Sequence, residues 1–169
     1  MRLIVALLIG LLMEPLLAHA ARAETVASQA SPDGKLVIAF DVDSDGRAGY
    51  TVTRNGQPLI ARSLLGFILT DSYNMVRGFR FDGSETGAGD DTWEQPWGER
   101  RFVRSHYNEL LVRFRQPGYL KRAMNVRVRL FDTGIGFRYE LPAQAGLETM
   151  RIADESTEIA IAQPGEAWW

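Results

Sequence analysis

No cysteine occurs among the 169 residues. The fold must close without disulfides and rest on an apolar core, and no lipid can be carried on an N-terminal cysteine. Histidine is almost as scarce: His106 is the single one beyond the N-terminal segment. That excludes a multi-histidine metal centre and gives no support to a Ser-His-Asp arrangement. A structural or substrate-contacting role fits His106 better than a catalytic one. There is no basic block, and the formal net charge is −2, so nothing marks a nucleic-acid surface. Beyond residue 23 there is no sustained helical periodicity and no internal repeat. What is present is 46% hydrophobic and 24% charged, the balance of a globular protein of one domain.

The N-terminus stands apart. Met1-Arg2 gives a short positive start, Leu3 to Leu17 is an apolar run, and "AHAARA" follows with small residues at the spacing read by signal peptidase. Residues 1–23 are predicted to be a secretory signal peptide, cleaved after Ala20 or Ala23. The run is short for a membrane span and is interrupted by Glu14-Pro15, so no membrane association is expected after cleavage. The predicted location is periplasmic or secreted.

From Lys35 onward apolar residues recur with period two. Leu36, Ile38, Phe40 and Val42 share one face, as do Leu110, Val112 and Phe114. Met124, Val126, Val128 and Leu130 alternate with Asn125, Arg127 and Arg129; Ile135, Phe137, Tyr139 and Leu141 alternate with Gly136, Arg138 and Glu140. This alternation marks antiparallel strands with one wet face. "SPDG" (31–34), "DSDG" (43–46), "RNG" (54–56), "QPG" (116–118) and "DTG" (132–134) supply turn chemistry, with glycine expected at positive φ. Strands spaced about ten residues apart predict an all-β antiparallel sandwich. The glycine-rich "DGSETGAGDDT" (82–92) reads as a long polar loop.

Asp41 to Gly46, "DVDSDG", mimics the start of a calcium loop. Position 12 of such a loop needs a bidentate glutamate and is Val52 here, and strands replace the flanking helices, so a hairpin turn is predicted. Paired carboxylates about 5–10 Å apart could hydrolyse glycosides. Glu94, Glu99, Glu109, Asp154, Glu155 and Glu158 are available, but sequence does not pair them. The chain closes on "PGEAWW", two tryptophans where a loosely held polar terminus is usual, which reads as a chain entering further structure.

Three stretches stand in a telling order: "DTWEQPWGERRFVRSHYNEL" (91–110), "MNVRVRLFDTGIGFRYELP" (124–142) and the closing "AWW". Ahead of them lie "SPDGKLVIAF", "YTVTRNGQPLI" and "SLLGFIL". Together they resemble the N-terminal domain of glycoside hydrolase family 97 over residues 31 to 169; the pattern W-G-E-x-x-x-x-R-x-H-Y-N-E, Trp97 to Glu109, is the most specific part. The resemblance implies exported bacterial enzymes acting on α-glucosides or α-galactosides. It implies an N-terminal β-super-sandwich, a catalytic (β/α)8 barrel and a small C-terminal β-domain, with calcium-dependent catalysis by carboxylates on the barrel. The sandwich would pack on the barrel and lend a segment beyond Trp169 to the active-site rim and metal shell. The chain would then end before the barrel, with its sandwich incomplete. No family catalytic residue falls on a position here, and no cofactor is expected in this chain.

The residues expected to meet carbohydrate or the barrel are Trp93, Trp97, Glu99, His106, Asn108, Trp168 and Trp169. Aromatic faces stack on sugar C–H surfaces, and Glu, Arg and Asn bond hydroxyls. Against this stands the default that Trp93 and Trp97 simply close the core, as their large apolar area favours. The predicted function is a carbohydrate-associated domain supporting an α-glycosidase barrel; the alternative is a free-standing carbohydrate-binding module.

Overall fold

A computed structural model of the chain describes residues 24–145 and 147–165. The proposed signal segment and the terminal Trp168 and Trp169 lie outside these residues. Among the described residues there are ten strands: β1 (Glu24–Ala30), β2 (Leu36–Val42), β3 (Ala48–Arg54), β4 (Gln57–Leu64), β5 (Phe67–Leu69), β6 (Arg80–Glu94), β7 (Phe102–Arg115), β8 (Ala123–Phe131), β9 (Gly134–Glu140) and β10 (Ile152–Glu155). No helix occurs among the described residues. β1 to β4 form one antiparallel sheet in sequence order, and β6 to β9 form a second. β5 and β10 make a two-stranded ribbon.

The two sheets face each other across one apolar core, so the protein is an antiparallel β-sandwich. Leu36, Ile38 and Phe40 from β2, Tyr50 and Val52 from β3, Leu110, Val112 and Phe114 from β7, and the Met124-to-Leu130 row of β8 are all buried. Phe114 meets Phe40 across the sheets at 6.3 Å between ring centroids. Burying each such side chain stabilises the fold by about 1.5–3 kcal/mol relative to exposure. Without disulfides this core carries the cohesion. The side of β9 is less well covered: Ile135, Phe137 and Tyr139 are half-buried and Leu141 is exposed.

The turns follow from their residues. Arg54 pairs with Gln57 across Asn55-Gly56, both with positive φ (51° and 76°), the two-residue hairpin geometry that matches strand twist. "DSDG" is a turn, as expected. Asp43 Oδ1 accepts from the amides of Asp45 and Arg47, and Gly46 has φ 71°. Gly46 is needed twice over, because an added Cβ would lie 2.8 Å from the Gly78 backbone. Gly134 departs from expectation: it is absent from the positive-φ glycines and opens β9 opposite Phe131.

A late segment ties the sheets together. β10 pairs with β5, and Ile161 bridges to Ile60 beyond β4's outer edge. Ala61 N donates to Ala160 O at 2.8 Å and Ala162 N to Leu59 O at 3.0 Å.

One sequence expectation fails. Residues 82–92 are not a loop but the body of β6, a 15-residue strand paired with β7 from Arg80↔Arg115 to Glu94↔Phe102. Glycine-rich, charged sequence holds this strand because its neighbour supplies what it lacks. Arg115 bonds Asp82, Arg113 bonds Glu85 and Arg104 bonds Asp90, each diagonally across the pair. Tyr107 covers Gly89, the residue opposite it.

Candidate functional site: an aromatic arm at one pole of the sandwich

β8 pairs with β7 only from Asn108↔Leu130 toward Arg115↔Ala123. Among the described residues, the earlier residues of β7 have β6 as their one strand neighbour. Residues 88–107 therefore leave the sheet as a two-stranded arm. The tip, 95–101, is tied by Gln95 N to Arg101 O at 2.9 Å, by Gln95 Nε2 to Arg100 O at 2.6 Å and by Arg101 Nε to Glu94 Oε1 at 2.7 Å.

The register sorts the side chains onto two faces. Trp93, Val103, Ser105 and Tyr107 continue the outer face of the β6–β9 sheet; Phe102, Arg104, His106 and Asn108 continue its core-facing side. Trp93 is 51% exposed, Trp97 at the tip 81% and Phe102 58%. Core closure by the two tryptophans is therefore overturned. They sit on the arm, where Val103 opposite Trp93 leaves that ring half exposed and Trp97 stands at the tip.

The expected site residues are not all together. Trp93 and His106 lie on opposite faces of the arm. His106 is exposed opposite Asp90. Glu99 sits exposed in the tip beside Trp97. Asn108 acts structurally, since its Nδ2 donates to Ala30 O at 2.9 Å and stitches β7 to β1 of the other sheet. The arm is stiffened electrostatically at its middle. Arg104 grips Asp90 through two hydrogen bonds of 2.6 Å, and this pairing holds the Asp90 carboxyl below its usual range.

At the base of the arm the wet face carries an ion network that sequence reading did not assemble. Arg127 reaches Glu109 and Glu140, Arg129 binds the second oxygen of Glu109, and Arg138 also binds Glu140. Arg127, followed by Arg138, holds the Glu140 carboxyl down to about 2, and Arg129 with Arg127 lowers Glu109. Arg129 also lies over the Tyr107 ring at 4.3 Å. The signal was the "RVR" and "RYE" alternation, which names the wet face but not the partners.

Asp41 and Asp43 are taken by Arg62 and Arg47, and among the described residues no group of three or more acidic, histidine or cysteine side chains converges. These residues do not fit a calcium ion.

Residues 30–169 match the family model described as Glycosyl-hydrolase 97 N-terminal. The chain belongs to this family. Among relatives of this family 97 domain, a retaining alpha-galactosidase of Bacteroides thetaiotaomicron is 26% identical over 129 residues, covering 76% of this chain and 18% of the relative. A probable retaining alpha-galactosidase of Streptomyces bingchenggensis is 27% identical over 123 residues, covering 73% and 18%. Among solved structures, a glycoside hydrolase family 97 enzyme from Pseudoalteromonas sp. strain K8, in complexes with panose and with acarbose, superposes with a TM-score of 0.77 at 34% identity. That match covers 80% of this chain and 20% of the enzyme. A beta-arabinopyranosidase shares the fold at a TM-score of 0.70 and 24% identity. The family 97 domain thus spans about a fifth of the length of the proteins it matches.

Proposed function

We propose that this chain is the N-terminal, carbohydrate-associated β-sandwich domain of an exported α-glycosidase, supporting a catalytic barrel and its active-site rim without catalysing alone. The observation that carries the reading is the arm. A two-stranded ribbon is marginal in water by itself, yet this one holds Trp93, Trp97 and Phe102 exposed. Rigid aromatic anchors on a projecting ribbon suit a surface that meets another domain and borders a sugar site. The relatives named as alpha-galactosidases and the enzyme bound to panose and acarbose support α-glycoside chemistry in the longer polypeptide. Periplasmic or secreted location follows from the proposed signal peptide, and calcium belongs to the barrel side of the reading. In this reading binding and positioning are what the domain contributes.

The test has two arms. The purified chain is offered p-nitrophenyl α-glucoside and α-galactoside, with no turnover expected. In a polypeptide carrying the barrel as well, Trp93→Ala with Trp97→Ala is expected to lower kcat/KM or the melting temperature. Turnover by the chain alone that vanishes on mutating one of its acids would overturn the reading. So would a barrel-bearing double variant unchanged in both activity and stability.

A further inference from the structure

We propose that the cleft between the 70–74 and 116–122 loops is a second site, binding a neutral oligosaccharide, with Tyr73 and Tyr119 as stacking platforms. It lies at the opposite pole from the arm. β6 leaves this end toward the tip, and β7 returns to it at Arg115. The cleft holds about 800 Å³ and is lined by Asp71, Ser72, Tyr73, Tyr119, Leu120 and Arg122 among others. That volume is in the range of small-ligand sites.

The two rings are conspicuous for their exposure, 75% at Tyr73 and 97% at Tyr119. The loops beneath them are held firmly. Arg122 is 2% exposed and pairs with no carboxylate among the described residues; burial pulls its pKa below the usual arginine value. Its donors instead serve Gln116 Oε1 at 2.8 Å, Tyr73 O at 2.7 Å, Ser72 Oγ at 3.3 Å and Asn74 O at 3.3 Å. One buried guanidinium thus clamps the Tyr73 loop to the Tyr119 loop, as a positioning residue. Gln116 adds a bond to Arg77 O at 2.7 Å. Lys121 is held at φ 47°, a left-handed conformation rare for lysine that persists when its surroundings fix it.

Rings mounted on clamped loops lose little freedom on binding. Tyrosine faces suit sugar C–H surfaces, while Asp71 and Ser72 offer an acceptor and a hydroxyl to sugar hydroxyls. Asp71 Oδ2 lies 3.7 Å from Arg151 Nε and the Arg122 donors are committed to the loops, so the lining favours neither sign of charge and suits a neutral ligand. The mixed polar and apolar lining favours a sugar over a dry protein contact.

The experiment is calorimetric titration of the purified chain with maltotriose and with melibiose. Weak binding of at least one is expected. Kd should rise about tenfold in Tyr73→Ala and in Tyr119→Ala, and stay near the parent value in Tyr119→Phe and in Arg54→Ala, at the exposed β3–β4 turn away from both the cleft and the arm. The tyrosines are exposed, so melting curves of the variants should match the parent. Absence of heat with both sugars overturns the proposal, including the case where Tyr119→Ala destabilises a longer polypeptide because protein covers the cleft. Equal loss in Arg54→Ala, equal loss in Tyr119→Phe, or indifference to both alanine variants also overturns it. The control lies outside the arm, and the sugar titration uses no barrel, so failure of the barrel-support reading leaves this result interpretable.

Discussion

Gly89 and Tyr107 form a pair whose coupling can be measured. A Cβ on Gly89 would fall 2.6 Å from Tyr107 Cζ and 2.7 Å from its hydroxyl oxygen. The ring must therefore swing away in Gly89→Ala, leaving Phe131 at 5.5 Å and the Arg129 guanidinium at 4.3 Å. Losing the aromatic pair costs about 0.5–1.5 kcal/mol, and losing the exposed cation–π contact about 0.5–1 kcal/mol. Alanine in a strand interior recovers about 0.5–1 kcal/mol relative to glycine. The net cost is about 0–2 kcal/mol in the parent, centred near 1. In a Tyr107→Ala background nothing is displaced, and the same substitution should stabilise by about 0.5–1 kcal/mol. The assay is native-state hydrogen exchange of the arm amides in all four members of the cycle, since local opening need not move the global melt. An equal effect of Gly89→Ala in both backgrounds would refute the idea that Tyr107 stands in for the missing side chain.

Acid should weaken the outer face. The Glu140 carboxyl is depressed from 4.5 to about 2 by Arg127 and Arg138, so its stabilisation is complete above the ordinary carboxylate range and fades as pH falls toward 2. The melting temperature should drop over that interval, and Glu140→Gln should flatten the slope; an unchanged slope would count against the network. Added calcium should leave the melting temperature unaltered, because Asp41 and Asp43 are already gripped by arginines; a rise at sub-millimolar calcium, lost in Asp43→Ala, would contradict this. Trp97→Ala should leave stability within about 0.5 kcal/mol, as for other exposed positions, while reducing self-association seen by size exclusion. Unchanged association would show that the tip is not the adhesive surface.

The half-wet strands were legible because alternation needs no partner to be seen. β2, β8 and the inner half of β7 declared their buried rows directly, and Asn55-Gly56 declared its turn. β6 was not legible, since its order comes from β7: arginines 104, 113 and 115 reach across to acids that read singly as loop composition. The tryptophans misled for a related reason. Burial follows apolar area only where the fold brings a partner, and β7 outruns β8 before Trp93 is reached. Family motifs located the arm, yet the sequence held no cue that Asn108 faces Ala30 or that Arg122 spans two loops, because those contacts join residues distant in the chain.

The clasp from residue 161 back to residue 60 sets an order of events for folding. Each four-stranded sheet is a meander of neighbouring hairpins and can assemble from chain already at hand. The bridge between Ile60 and Ile161, with β10 on β5, must close across the whole of the second meander. Its loop-closure entropy is offset only once both meanders have met around the Phe40–Phe114 contact. The meanders are therefore the early units and residues 152–162 the last strip to dock, so substitutions there should speed unfolding and leave the refolding rate almost untouched.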